Sequence, residues 1–304
     1  MSKEFIFTDA DLDGAGSYLA FKWTTGKKLP FKCTRVTDFR SDFIQWQKTN
    51  DITAYKTIYI FDLDVSQYMD LIDKPNVVII DHHATHVEHK SKYKHAKIVV
   101  QEETSCTKLV FNTFKNPLQP LPDDQKMIIL MIDDYDSYEL KLKNSYKLNL
   151  IFWNYQGNRL FHFITRFENG FDEFSTPEKE IISFYEKKLR HVKNNLNVHV
   201  AKRVPLMGKQ YNLVSVFATS HINEVADHII KNYKADIGFV INTNSNKVSI
   251  RKSDKCDIDV GNLATKLFDI GGGHQYAAGG ELCEKFLTFS KLFSPMKIKV
   301  GQSC

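Results

Sequence analysis

Val77-Val78-Ile79-Ile80-Asp81-His82-His83 is a short β-branched run that stops abruptly at one carboxylate and two imidazoles. The run reads as a strand. The same figure recurs upstream: Thr57 to Phe61 stops at Asp62-Leu63-Asp64, and Glu4 to Phe7 stops at Thr8-Asp9-Ala10-Asp11-Leu12-Asp13-Gly14. Phe31 to Val36 and Ile98 to Val100 read as two further strands, and helical patterns fill the intervals. Strands alternating with helices are the signature of βαβ units and predict an α/β fold with a mostly parallel sheet. In an open α/β sheet the strand C-termini line the ligand crevice, so carboxylates placed there converge on one site.

The rest of the chain predicts a second, smaller α/β domain. At 304 residues and 35.2 kDa, length alone favours two domains. A helix over Asp123 to Ile132 follows Pro120-Leu121-Pro122 and delivers Asp133-Asp134-Tyr135-Asp136. Ser175-Thr176-Pro177-Glu178 is a helix start with Pro at the first helical position. Ile181, Tyr185, Leu189, Val192 and Leu196 then recur at spacings of three and four, a single-faced helix ending near Asn197. Beyond it come a strand at Leu213 to Phe217, a helix at His221 to Asn232, and strands at Asp236 to Ile241 and Lys247 to Lys252. A helix over Asp259 to Phe268 follows, closed by Gly271-Gly272-Gly273-His274. The expected division is a catalytic domain over 1–175, a helical connector over 176–203 and a substrate domain over 204–304.

Composition narrows the class. Hydrophobic residues at 42% and charged residues at 25% describe an ordinary folded protein and exclude global disorder. No window approaches the roughly 18 consecutive apolar residues of a membrane span, and the N-terminal Ile6-Phe7 run meets Asp9 too early for a signal-peptide core. A cytoplasmic protein with no membrane partner is expected. Cys33, Cys106, Cys256, Cys283 and Cys304 are scattered with no C-x-x-C pair, so reduced thiols are expected rather than a disulfide framework or a zinc knuckle. The net charge of +5 permits a polyanionic substrate without demanding one. Between Ile181 and Gln210, Lys187, Lys188, Arg190, Lys193, Lys202, Arg203 and Lys209 face Glu186 alone, which reads equally as a solvated helix face or an anion-attracting hinge.

Carboxylates at alternating positions, Asp9-x-Asp11-x-Asp13, cannot all bury unpaired charge, and a divalent metal resolves that cost. Asp62 adds a carboxylate and His82 an imidazole; the mixed oxygen and nitrogen set suits Mn²⁺, tolerates Zn²⁺, Fe²⁺ or Co²⁺, and disfavours Ca²⁺. Gly14 and Gly16 let the chain turn tightly into a helix whose N-terminus favours an anion such as phosphate. Taken singly, each cluster reads as a turn, a cap or a surface patch. His86, His89 and His95 follow at loose spacing and read as surface or loop residues, and Ser105 and Thr107 read as caps.

Together these motifs resemble the DHH family of phosphoesterases. Asp81-His82-His83 matches the naming motif and Asp9 to Gly14 the first motif. Gly271-Gly272-Gly273-His274-Gln275-Tyr276-Ala277-Ala278-Gly279 is similar to the G-G-G-H-x-x-A-A-G of the associated C-terminal domain, and Val248-Ser249-Ile250-Arg251 and Asp259-Val260-x-x-Leu263-Ala264 fit its pattern. Where Asp9 stands many members have His, whereas RecJ-type exonucleases have Asp. Asp133, Asp134 and Asp136 compete for the fourth metal motif; the similarity of Ile132 to Tyr138 to a D-x-D-L-W stretch of bacterial relatives favours Asp134.

The resemblance implies two metal ions, one held by Asp11 and Asp62 with Asp9 nearby, the other by Asp13, Asp62, His82 and Asp134, with Asp62 bridging. It also implies in-line attack at phosphorus, with His83 donating to the scissile phosphate and Asp81 orienting the histidines. Arg251, His274 and the backbone of Gly271, Gly272 and Gly273 would bind substrate phosphate in the second domain.

The function so implied is metal-dependent hydrolysis of short oligonucleotides to mononucleotides, as in the nanoRNases. Alternatives are a cyclic dinucleotide or nucleotide 3′,5′-bisphosphate hydrolase, a RecJ-like single-strand exonuclease, a polyphosphatase, and a metal-free nucleotide-binding protein. About 300 residues leave no room for the extra strand-binding domain of the RecJ type, and retention of Asp11, Asp13, Asp62 and His82 argues against a mere binding protein. Oligomeric state stays open.

Overall fold

The computed structural model describes residues 3–102, 104–273 and 275–284. The chain divides into two units, Met1–Ile182 and Ser183–Cys304.

The first unit contains β1 (Lys3–Asp9), α1 (Leu12–Thr25), β2 (Phe31–Thr34), α2 (Val36–Gln47), β3 (Tyr55–Phe61), α3 (Met69–Ile72), β4 (Val77–Asp81), α4 (Ala84–His89), β5 (Lys97–Val100), α5 (Cys106–Phe114), α6 (Asp123–Asp136), α7 (Ser145–Asn154) and α8 (Arg159–Arg166). Its five strands form a wholly parallel sheet in the order β2-β1-β3-β4-β5. That order reverses direction between β1 and β3, which is where α/β sheets of this topology hold their ligands. Every residue from Ile58 to Phe61 is buried, because helices cover both faces of the sheet. On one face Phe7, Ile58, Ile60, Val77 and Ile79 pack with Phe39, Phe43 and Trp46 of α2.

On the other face α1 is buried continuously from Leu12 to Phe21 and packs on α5, α6 and α8. Such a helix shows no polar stripe, and its small residues matter for approach. A Cβ on Gly16 would come within 2.3 Å of Thr107 Oγ1 and 2.4 Å of Ile132 Cδ1. A Cβ on Gly14 would fall 2.2 Å from the Asp9 carbonyl oxygen, so only glycine lets the first turn of α1 sit against the end of β1.

The helix α9 (Thr176–Asn194) runs across the division between units. The second unit continues with β6 (Val198–Leu206), β7 (Lys209–Phe217), α10 (Ile222–Tyr233), β8 (Ile237–Asn242), β9 (Lys247–Lys252), α11 (Val260–Leu267), β10 (Gly271–Gly273) and β11 (Ala277–Glu281). The sheet order is β10-β11-β9-β8-β7-β6, with β7 and β8 parallel and the other pairs antiparallel. Val214, Val216 and Val240 face Val225, Ala226 and Ile229 of α10; Ile237, Val248 and Ile250 face Val260, Leu263 and Ala264 of α11.

Strand β6 corrects the expected helical connector, since from Val198 the chain is extended. It is an edge strand, largely exposed, joined to β7 through Met207 and Gly208, both at positive φ as a tight hairpin turn requires. The basic stretch is thereby split. Lys187, Lys188, Arg190 and Lys193 lie on α9, Lys202 and Arg203 on the edge strand, and Lys209 pairs with Asp257. Basic residues on an exposed edge also discourage strand addition. The cysteines of the described residues, Cys33, Cys106, Cys256 and Cys283, are free thiols. No helix of the described residues is long and apolar enough to cross a membrane.

Candidate active site

Three strand ends build the site. β1 ends in Asp9 and leads through Asp11, which caps α1 by accepting from Gly14 N at 2.9 Å, into Asp13 on its first turn. β3 ends at Phe61, paired with Thr8 of β1 and Ile80 of β4, so Asp62 and Asp81 emerge side by side. Asp62 takes a left-handed backbone with φ of 59°, held by its N–H bond to Ile80 O at 3.0 Å. A non-glycine residue in that conformation is costly and persists where its surroundings over-determine it, commonly at functional sites.

The carboxylates and imidazoles meet in overlapping groups whose ligand-type atoms all lie within 4.8 Å of one another: Asp9 with Asp11 and Asp62; Asp62 with His82 and His83; and Asp13 with His82 and Asp136. His82 Nε2 is 3.3 Å from Asp62 and 3.7 Å from Asp13, and its Nδ1 is 3.5 Å from Asp136. Asp13 also accepts from the backbone N–H groups of Cys106 and Thr107 at 2.7 and 2.8 Å, pinning the N-terminus of α5 to the site.

Burial dominates the electrostatics. It pushes Asp9 up to about 7, helped by the Asp11 charge. Burial first, then the Asp13 and Asp11 charges, hold Asp62 and Asp136 well above the usual carboxylate range. Asp13 is likewise raised by burial, against the attraction of His82. These groups cannot ionise together without a compensating cation. Asp62 Oδ2 is buried with no hydrogen-bond partner among the described residues. A buried carboxylate oxygen left unbonded amid mutually repelling acids fits the donor set of divalent metal ions.

Asp81 belongs to a separate network. Its Oδ1 bonds His83 Nδ1 at 2.7 Å and its Oδ2 bonds His86 Nδ1 at 2.8 Å, while His86 Nε2 meets the Tyr93 hydroxyl at 2.9 Å. Asp81 thus orients His83 and not His82. Burial disfavours charge on the His83 ring, but the Asp81 carboxylate overrides it and raises His83 to about 9. Against the same burial, the bonds from His83 and His86 hold Asp81 below the ordinary carboxylate range. His86 is completely buried rather than a surface residue. Its signal was the spacing Asp81-His82-His83-x-x-His86, which carries His86 back beneath Asp81 on the first turn of α4.

Asp134 is not in the cluster. Its carboxylate accepts from Lys141 N at 2.8 Å, from Leu142 N at 3.0 Å and from the Ser145 hydroxyl, securing the turn into α7. The reason is helical phase. α6 runs on through Asp136, so Ile132, Tyr135 and Asp136, at spacings of three and four, face the site, and Asp134 projects elsewhere. Asp133 turns to α5, meeting Ser105 N and Lys108 Nζ at 2.9 and 2.6 Å. Asp136→Ala is expected to lower kcat about 100-fold or more with little change in stability. Asp134→Ala should instead cost about 1–3 kcal/mol in urea unfolding, since it strands the buried Ser145 hydroxyl and two partly buried N–H groups. Loss of turnover in Asp134→Ala at unchanged stability would return Asp134 to the cluster.

In the second unit Arg251 lies on β9 and donates to Asn223 Oδ1 at 2.7 Å and Ile250 O at 3.0 Å. Gly271, Gly272 and Gly273 form the edge strand β10 rather than a loop. A Cβ on Gly271 would meet Ala264 O at 2.6 Å, and one on Gly273, at φ of 141°, would meet Ala277 O and Ala278 Cα at 2.6 Å. Packing therefore accounts for these two glycines, while Gly272 has only Thr265 Cγ2 at 3.9 Å. His274 lies outside the described residues.

Residues 210–294 match the family model of the DHHA1 domain. The chain is similar in fold to PggH, a pGpG-specific phosphodiesterase from Vibrio cholerae, at 13% identity and a TM-score of 0.59, covering 96% of this chain and 97% of that one. The C-terminal unit contains a DHHA1 domain. The fold is shared at 11% identity with an exonuclease RecJ bound to manganese, with a TM-score of 0.53 over 95% of this chain and 88% of that one. RecJ in complex with Mn²⁺ from Thermus thermophilus is similar at 11% identity and a TM-score of 0.57, over 95% of this chain and 51% of that one. A comparison with curated proteins finds no match.

Proposed function

We propose that this protein is a DHH-type phosphoesterase that hydrolyses the phosphodiester bonds of short oligonucleotides, using two divalent metal ions of which Mn²⁺ is the best. The observation that carries the reading is the buried, unbonded Asp62 Oδ2 inside a group of acids that burial and mutual repulsion keep from ionising together. Asp9, Asp11 and Asp62 would hold one ion, and Asp13, His82 and Asp136 the other, with Asp62 reaching both through its place beside His82. When bound, the ions supply Lewis-acid stabilisation at phosphorus and a nucleophile at neutral pH.

The chain's own residues do the rest. Asp81 fixes the His83 ring by its Nδ1, which leaves Nε2 to donate to a phosphate oxygen. His86 and Tyr93 hold Asp81 from behind. Arg251, Gly272 and His274 of the C-terminal unit would bind substrate away from the chemistry. The likeness to a phosphodiesterase specific for pGpG, a dinucleotide, supports a short substrate, and the manganese-bound RecJ structures support the choice of metal.

One chromatographic screen tests the reading. With Mn²⁺, dinucleotides to about pentanucleotides are expected to be degraded to mononucleotides faster than a 20-mer. Hydrolysis of a cyclic dinucleotide or a 3′,5′-bisphosphate nucleotide with linear oligonucleotides untouched would overturn it, as would a clear preference for the 20-mer.

A further inference from the structure

Beside the carboxylates, α6 and α7 line a cavity of about 120 Å³. Asp11 and Asp136 stand on its wall, together with Ile132, Tyr135, Asn149 and Trp153. Asn149 and Trp153 are four residues apart on α7, so both project from one face of that helix. Trp153 is 48% exposed, although Leu150, Ile151 and Phe152 just before it are buried. Arg159 lies over one face of its ring, with Cζ 4.9 Å from the centroid, and Phe152 makes a T-shaped contact with it at 5.4 Å, which fixes the indole while leaving about half of the side chain open. The Asn149 carboxamide can both donate and accept, and it has no hydrogen-bond partner among the described residues.

The volume falls well below the roughly 300–1,000 Å³ that encloses a whole drug-sized ligand. It suits one planar ring system. A fixed indole beside a side-chain amide is the chemistry that recognises a nucleobase, because every base has a π-face to stack and a polar edge to pair. Asp11, Asp13 and Asp136 belong both to this wall and to the cluster, so a phosphate held at the cluster would lie directly beside the cavity.

We propose that the cavity is a nucleobase subsite, in which the base of the nucleoside adjoining the scissile phosphate packs on Trp153 and pairs its edge with Asn149. It rests on the phosphodiesterase reading of the neighbouring carboxylates. Since stacking tolerates any base, the subsite selects nucleotides over other phosphodiesters and discriminates little among bases.

Calorimetric titration of the full chain in Mg²⁺ with adenosine 5′-monophosphate, and with ribose 5-phosphate as the base-free control, tests it without turnover. The monophosphate is expected to bind at least about 10-fold tighter than ribose 5-phosphate, the lower end of what stacking one base contributes. Trp153→Ala should remove that difference, Trp153→Phe should keep most of it, and Asn149→Ala should weaken it. In parallel, the ratio of kcat/KM for thymidine 5′-(4-nitrophenyl phosphate) over methyl 4-nitrophenyl phosphate should fall about 10-fold in Trp153→Ala. Equal binding of the two sugar phosphates, or an unchanged difference in Trp153→Ala, overturns the subsite. Base-dependent binding lost in Trp153→Ala, with neither ester turned over under Mn²⁺, would leave the subsite standing and sink the phosphodiesterase reading instead.

Discussion

Asp62→Asn is expected to lower kcat at least about 1,000-fold, the upper end of what removing one electrostatic contact costs, and at the same time to make the metal-free protein more stable. The two effects share one cause. Asp62 is buried within a ring of acids, its Oδ2 has no partner, and the charges of Asp13 and Asp11 raise its pKa further. An amide of the same shape removes the repulsion and with it the negative charge that would be shared between two ions. Asparagine also tolerates the left-handed backbone at φ 59°, so the fold has no reason to shift. Asp62→Ala should lose activity equally but gain less stability, because alanine in that conformation costs about 1 kcal/mol or more. Turnover by Asp62→Asn at the wild-type rate would show that the cluster is not the catalytic centre.

Chelated protein is expected to lose stability steadily from pH 5 to pH 9, and divalent metal should restore it most at the alkaline end. Asp9 is held at about 7 in the fold, far above an exposed aspartate. A group raised in the folded state contributes stability that is fully present below its unfolded pKa and is lost as pH rises through the folded one. For Asp9 that window runs from about 4 to about 7. Asp62, Asp13 and Asp136 are raised as well and act in the same direction. His83, raised to about 9, extends the loss upward. Asp81 is depressed and acts oppositely, but only below about pH 4, outside the range. Each pKa unit corresponds to about 1.4 kcal/mol, and each kcal/mol to about 2–4 °C in Tm for a domain of this size. Melting curves at pH 5.5 and 8.5, with chelator and with Mn²⁺, read the difference directly. A metal-free Tm that rises with pH, or Mn²⁺ stabilising equally at both values, would contradict the electrostatics of the cluster.

Much of this was legible because it is local. A β-branched run ending in a carboxylate is a strand end whatever surrounds it, so β1, β3 and β4 and the convergence of Asp9, Asp11, Asp13, Asp62, His82 and His83 followed from pattern alone. β9 was legible in the same way, through apolar residues alternating toward the core. β6 was not, because an exposed edge strand carries no such alternation and is held only by pairing with β7.

The choice among Asp133, Asp134 and Asp136 needed the tertiary structure, since α6 continues past the expected Ile132 and its phase, set by packing on α1, α5 and α7, decides which carboxylate faces His82. The same holds for His86, whose burial depends on the chain folding back after α4 so that Tyr93, seven residues on, receives it against Asp81. Gly271 and Gly273 read as a phosphate loop until α11 and β11 are seen to lie against them. The sequence by itself determined the strands of the first unit, their order along the chain and the kind of side chain that meets at their ends, because propensity and strand-end position are properties of neighbouring residues. Only the tertiary structure decided which side chains share the cluster and which serve the scaffold, because that depends on the rotation of each helix about its axis, and packing between distant segments sets that rotation.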